Sequence, residues 1–229
     1  MPELSVHHLS TTKVVIVGRV TPDDDLSLCL AALSDGERAR AADFRTRMLH
    51  DVYVATHGTL RHALSDVLGI PPAEIRFETN EWGKPLLCEP FKALNFNISH
   101  SHDHFAVGLS DEEPIGVDLE RKSAEAPYEI APHFMSSNEV RAFSSLSGES
   151  KHYLFYDLWV RKEAIVKALG MGLSLDLRQI DVLEWSTMTT PLGAALGHCR
   201  RPYRFLDIPR FPEFAAAAVL VSAEASASP

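Results

Sequence analysis

Positive charge, cysteine and long apolar runs are the three things this chain has little of. Lysine and arginine number 22 against 31 aspartates and glutamates, a net charge of −9. Such a surface argues against non-specific binding to nucleic acid or to anionic membranes. Any phosphate site must then be a local basic pocket within a negative surface. Cys29, Cys88 and Cys199 are odd in number, far apart and without C-x-x-C spacing. Neither a disulfide framework nor a thiolate zinc site follows. No apolar run approaches the roughly 20 residues that span a bilayer. The opening segment, Met1–His8, lacks the basic start and apolar stretch of a signal peptide. Together these absences point to a reducing, cytoplasmic setting. Enough apolar residue is present to fold: 45% of 229 residues, room for one large domain or two of about a hundred residues each.

Local signals divide the chain into elements. The β-branched run from Lys13 to Val20 reads as a buried strand. Ser34-Asp-Gly-Glu37 is a capping box opening a helix towards Phe44, and a longer helix from about Val52 to Leu68 stops at Gly69. Strands are predicted at Ile75–Thr79, Leu94–Ile98, Phe105–Leu109 and Ile115–Leu119. The polar, proline-ended Asp111–Pro114 marks a boundary. Beyond it the order recurs: a capping box at Ser136–Glu139, a long helix from Tyr153 to Leu169 closed by Gly170, then strands at Ile180–Trp185, Tyr203–Leu206 and Ala216–Val221. This repetition predicts two similar α+β units, residues 1–112 and 113–221, packed as a pair, with a disordered small-residue tail at 222–229.

Four clusters carry chemistry. In Ile115-Gly-Val-Asp-Leu-Glu120, period two puts Asp118 and Glu120 on one strand face. In Trp159-Val-Arg-Lys-Glu-Ala-Ile-Val-Lys167, a spacing of four aligns Trp159, Glu163 and Lys167 on one helix stripe. Three carboxylates can hold a hard divalent cation, and lysines beside them can hold phosphate. Each piece alone also has a plain reading, a solvated strand face and an i,i+4 ion pair worth about 0.3–0.5 kcal/mol. The third cluster is Asn97-Ile-Ser-His-Ser-His-Asp-His104. It reads as histidines on a loop, as a zinc site built on His100, His102 and His104, or as a strand end where His100 and Ser99 meet an anionic oxygen. In the fourth, Glu81-Trp-Gly-Lys-Pro85, Gly83 permits a turn and Pro85 stiffens the loop that presents Lys84; by itself it reads as a hairpin.

The order of these clusters closely resembles the 4′-phosphopantetheinyl transferases of the surfactin-synthetase-activating type: Gly83–Pro85, then Phe96–Ser101, Ile115–Glu120 and Trp159–Lys167, with Phe134-Met-Ser136 before Glu139 as a further match. The resemblance implies two α+β halves in a pseudo-twofold arrangement, with coenzyme A in the cleft between them. It implies a Mg²⁺ site of Asp118, Glu120 and Glu163, with Lys162 and Lys167 neutralising phosphates. Glu163 is the implied general base as well as a metal ligand. His100 would bond a phosphate, and Gly83, Lys84, Pro85 and Ser99 would hold the adenosine end. The implied partner is an apo acyl, peptidyl or polyketide carrier protein, docking on Tyr128–Phe143, and the implied state is a monomer. One stretch departs from the family pattern. The basic run expected after Phe44 is Arg45-Thr-Arg-Met-Leu-His-Asp here, so Arg45, Arg47, His50 or Arg61 is left to bind the 3′-phosphate.

Rival readings remain at this stage. A Mg²⁺-dependent nuclease could use the same D…E-x-x-x-K pattern, although the net −9 and the lack of a basic stripe oppose it. A catalytically silent coenzyme A- or carrier-binding module is the non-enzymatic alternative.

Overall fold

Two antiparallel sheets, each covered by a 22-residue helix, meet so that an edge strand of one lies beside an edge strand of the other. The computed structural model describes residues 1–10, 12–183, 190–191, 202–208 and 211–222. In chain order, β1 (Glu3–His8) and β2 (Lys13–Arg19) form a hairpin, followed by α1 (Ser27–Ala32), α2 (Asp35–Ala42) and α3 (Arg47–Leu68). A small hairpin of β3 (Phe77–Thr79) and β4 (Pro85–Leu87) leads to β5 (Asn95–Ser101) and β6 (His104–Ser110). The first sheet has the order β1-β2-β6-β5. After residues 111–114 come β7 (Ile115–Arg121), α4 (Ala131–Phe134), α5 (Ser137–Ser145) and α6 (Gly148–Leu169). Finally β8 (Thr190–Pro191), β9 (Pro202–Leu206) and β10 (Phe214–Val221) join β7 in a sheet of order β7-β10-β9-β8.

Alternation along the strands sorts the side chains into layers. Ile16, Phe96, Phe105 and Val107 pack against Val52, Ala55 and Leu64 of α3. Val15, Val17 and Ala106, on the opposite face of the same sheet, pack against Val117, Ala218 and Leu220 of the second. The remaining face of the second sheet, Ala217 and Val219, meets α6 through Leu158 and Ile165. The layer order is therefore α3, first sheet, second sheet, α6.

Both predicted capping boxes form, at Ser34 with Glu37 and at Ser136 with Glu139. The long helices end at Gly69 and Gly170, with φ of 68° and 67°, in the left-handed region glycine enters freely. Both begin earlier than the sequence reading placed them. Thr46 Oγ1 accepts from the Leu49 N–H, so α3 starts at Arg47 rather than Val52, and α6 starts at Gly148 rather than Tyr153.

One predicted strand is corrected. Residues 180–183 are not a strand; they follow a 3-10 turn at Leu177–Gln179, and Glu184 and Trp185 lie outside the described residues. Side chains take the hydrogen bonds that a neighbouring strand would otherwise supply. The Ile180 carbonyl accepts from Lys162 Nζ at 2.6 Å, and the Val182 N–H donates to Glu139 Oε1 at 2.8 Å. The predicted tail beyond Ser222 also falls outside the described residues. Among the described residues, no helix is long and apolar enough to cross a membrane.

Candidate active site

Gly116 fixes the position of the acidic strand against the Glu-Lys helix. A Cβ on Gly116 would collide with the Ala164 carbonyl and the Ala168 amide of α6, so only a bare backbone lets β7 lie this close to the helix. Two and four residues further along the same face, Asp118 and Glu120 point towards α6, which offers Glu163 and Lys167 one turn apart. Lys167 Nζ lies 2.6 Å from Asp118 Oδ1, and Ser99 Oγ donates to that oxygen at 3.0 Å. Ser101 Oγ donates to Glu120 Oε2 at 3.0 Å.

The junction between the sheets is made by side chains. Asn97 Oδ1 accepts from the Val117 N–H at 2.8 Å and Ser101 Oγ accepts from the Arg121 N–H at 3.1 Å. Thus the alternate polar residues of β5 (Asn97, Ser99 and Ser101) bridge to the open edge of β7 and aim its carboxylates. The sequence reading assigned Ser99 to the site but missed Asn97 and Ser101. The signal was their period-two spacing against the buried Phe96.

The electrostatics of this cluster are those of negative charge held close and dry. Asp118 is 2% exposed, and among the described residues its buried Oδ2 has no hydrogen-bond partner. Burial raises the Glu120 carboxyl above its ordinary range, and the Asp118 charge adds to that rise. Glu163 is raised by burial first and then by Asp118, with Lys167 opposing. An orphaned buried oxygen and two crowded carboxyls fit the needs of a hard cation with oxygen ligands. Among the described residues, no three ligating side chains are already drawn into a closed cage. The fit therefore rests on the donor set and on the unpartnered Oδ2.

The hairpin of β3 and β4 closes onto the far end of α6. Lys84 Nζ donates to the Ala168 carbonyl at 2.8 Å and Asn80 Nδ2 to the Gly170 carbonyl at 2.9 Å, satisfying carbonyls the helix end leaves open. Burial lowers the Lys84 amine to about 8. Asn80 Oδ1 accepts from the Trp82 and Lys84 N–H groups, and Gly83 sits at φ 83°, so the loop of Gly83 to Pro85 is a shaped turn rather than a free one. His100, next to Ser99 on β5, faces the opposite way. Its imidazolium is disfavoured by desolvation first, and then by the charges of Lys167 and His57. His57, on α3, is absent from the sequence reading.

Several expected site residues stand elsewhere. Lys162 does not face the carboxylates; its amine is fully buried, 2.5 Å from Glu139, and donates to the carbonyls of Phe134, Leu177 and Ile180. The reason is helical phase: on α6 Lys162 is one residue, about 100°, from Glu163. Arg61 is likewise withdrawn. It is 2% exposed, bonded to Glu37 at 2.6 Å and to the carbonyls of Pro72 and Ile75. Arg47 is an exposed residue bound to Asp51 and to the Pro22 carbonyl, His50 also pairs with Asp51, and Arg45 is exposed. The zinc reading of the histidine run does not hold. His102 occupies the turn at φ 54°, and His104 is engaged by Asp103 at 2.9 Å and by the Phe214 ring, so the three imidazoles do not converge. A cavity of about 860 Å³ beside Arg61, lined by Glu74, Phe77 and Cys88 among others, does not include the carboxylate cluster.

The family model described as 4′-phosphopantetheinyl transferase superfamily matches residues 114–219, and the one described as 4′-phosphopantetheinyl transferase, N-terminal, matches residues 21–113. The 4′-phosphopantetheinyl transferase HetI of Nostoc is 33% identical over 177 residues, 76% of this chain and 74% of its own length. The 4′-phosphopantetheinyl transferase ffp of Bacillus subtilis is 38% identical over 140 residues, 61% of this chain and 58% of its own. The Synechocystis relative slr0495 is 35% identical over 152 residues, 66% of this chain and 62% of its own. The match thus spans less than two thirds of two of these relatives and about three quarters of the third. With the two family models together matching residues 21–219 and a relative 33% identical covered over 74% of its length, the chain belongs to the 4′-phosphopantetheinyl transferase superfamily.

Proposed function

We propose that this chain transfers the 4′-phosphopantetheine arm of coenzyme A to a serine of an apo carrier protein, in a Mg²⁺-dependent reaction that releases 3′,5′-ADP. The observation that carries the reading is the cluster of Asp118, Glu120, Glu163 and Lys167, in which one buried carboxylate oxygen has no partner among the described residues. Asp118, Glu120 and Glu163 are the residues that would hold the metal. Bound there, the cation would offset charge on the coenzyme A pyrophosphate.

The remaining chemistry belongs to the chain. The carrier serine Oγ forms a bond to the pantetheine-side phosphorus as the bond to the 3′,5′-ADP oxygen breaks on the opposite side. Lys167 sits beside Asp118 and is placed to pair with a phosphate oxygen. Glu163, raised by burial and by Asp118, is the group proposed to take the serine proton. His100 and the hairpin of Gly83, Lys84 and Pro85 border the nucleotide end, with Lys84 already packed against the end of α6. The segment from Tyr128 to Phe143 is proposed as the carrier-docking face. Its rings pack into the aromatic cluster of Phe143 and Phe155, which makes it firm enough to receive a partner.

The same reading takes residues 1–112 and 113–221 as two pseudo-symmetric halves. Support comes from the paired capping boxes and from two helices of equal length ending in left-handed glycine. A monomer working in a reducing, cytoplasmic setting accords with the free thiols of Cys29 and Cys88. The test is transfer by Asp118→Ala and Glu163→Ala proteins shown by circular dichroism to be folded. Undiminished transfer by both would end this assignment.

A further inference from the structure

We propose that Asn80 is a positioning residue for coenzyme A. Its side chain shapes the loop of Trp82 to Lys84 and ties that loop to the end of α6, which fixes the nucleotide end of the co-substrate relative to Glu163 and Lys167. The inference rests on the transferase reading above, in which Gly83, Lys84 and Pro85 border the nucleotide end.

Each polar group of Asn80 is engaged. Its N–H donates to the Lys84 carbonyl and its own carbonyl accepts from the Gly83 N–H, both at 3.0 Å. In the side chain, Oδ1 accepts from the Trp82 N–H at 2.9 Å and from the Lys84 N–H at 2.8 Å. These bonds close the hairpin on itself, as short polar side chains do in turns, and with Gly83 at φ 83° they give the loop one shape. The remaining group, Nδ2, reaches outside the hairpin. It donates at 2.9 Å to the Gly170 carbonyl, 90 residues further on.

The other side of this joint is equally constrained. A Cβ on Gly170 would meet Lys84 Cδ at 2.6 Å and Asn80 Nδ2 at 3.2 Å, so the glycine that ends α6 also leaves the room the hairpin fills. Carbonyls at a helix end lack partners within the helix. Lys84 Nζ takes that of Ala168, and Asn80 takes that of Gly170. Lys167 adjoins Ala168, and Glu163 is one turn further back, so the loop and the carboxylate cluster share one support. The two bonds differ in what a phosphate would do to them. A lysine amine that turns to a phosphate oxygen gives up the Ala168 carbonyl, whereas the uncharged Asn80 amide keeps the loop on the helix.

The test is calorimetric titration of coenzyme A and of 3′,5′-ADP, with Mg²⁺, into the wild-type chain, Asn80→Ser and Asn80→Asp, with steady-state transfer and thermal melts alongside. Both variants keep an oxygen to accept within the turn and lose the donor to Gly170. Each should weaken both ligands about 3- to 10-fold, the worth of one hydrogen bond. KM for coenzyme A should rise by a like factor, while kcat and the KM for the carrier stay within about two-fold. Wild-type affinities in Asn80→Ser, with or without a lowered melting temperature, overturn the proposal, as does a fall in kcat at unchanged KM. Weakening confined to Asn80→Asp assigns the effect to the added charge and overturns it too. A wild type that binds coenzyme A but transfers nothing ends the transferase reading alone, since the binding comparison still decides the role of Asn80. One that binds neither ligand ends both.

Discussion

Lys167 Nζ and Asp118 Oδ1 are 2.6 Å apart across the junction of β7 and α6, and the second oxygen of Asp118 is buried with no partner among the described residues. On the proposed reading, the protein neutralises one oxygen of Asp118 and the other is left for a ligand. Asp118→Ala should lower transfer at least 100-fold while changing stability by no more than about 2 kcal/mol, since the loss falls on charge stabilisation rather than packing. Single-turnover transfer and chemical denaturation check the two halves of this statement. An active, folded Asp118→Ala protein contradicts it.

Gly116 sets that relationship at a distance from the chemistry. Gly116→Ala puts a methyl group into the backbone of α6 at Ala164 and Ala168, where no flexible side chain can yield. Urea unfolding should show a loss of about 1–3 kcal/mol or more, with transfer falling as β7 and α6 separate. A variant of native stability and full activity would show that the strand and helix can move apart freely.

Lys162 separates a structural lysine from a catalytic one. Lys162→Met leaves the Glu139 carboxylate buried without its counter-charge, and should cost about 3–5 kcal/mol. Pairing it with Glu139→Gln should recover part of that loss. A stable Lys162→Met protein with weakened coenzyme A binding would return Lys162 to the phosphate site.

Glu37 gives the fold an acid limit. Burial alone would raise its carboxyl, but hydrogen bonds from His57, Ser34 and Arg61 outweigh burial and hold it at about 2, against an ordinary value of 4.5. A carboxyl depressed by folding contributes stability that is present above its unfolded pKa and lost as pH falls through its folded one. Stability should therefore drop by roughly 2–3 kcal/mol between about pH 4.5 and pH 2 on this account. The drop should be smaller in Glu37→Gln, measured by denaturation across that range.

Much of this was legible in the sequence because it depends on local geometry. Period two placed Asp118 beside Glu120, period four placed Glu163 beside Lys167, and Ser34 and Ser136 announced their helices. What the sequence hid depends on phase and on distant partners. Lys162 is adjacent to Glu163 in the chain and turns away from it, because Glu139 and three carbonyls from other segments capture the amine. The same capture keeps residues 180–183 out of a sheet. Arg61 looked available until Glu37, 24 residues earlier, claimed it.

The central claim is tested most directly by the intact mass of an apo carrier protein incubated with this chain, coenzyme A and Mg²⁺, with EDTA in a parallel sample. A gain of one phosphopantetheine that disappears with EDTA is the result predicted. No gain on apo carriers of fatty-acid, polyketide and peptide synthesis alike, by a chain that binds coenzyme A tightly, would contradict it and leave a binding module in its place.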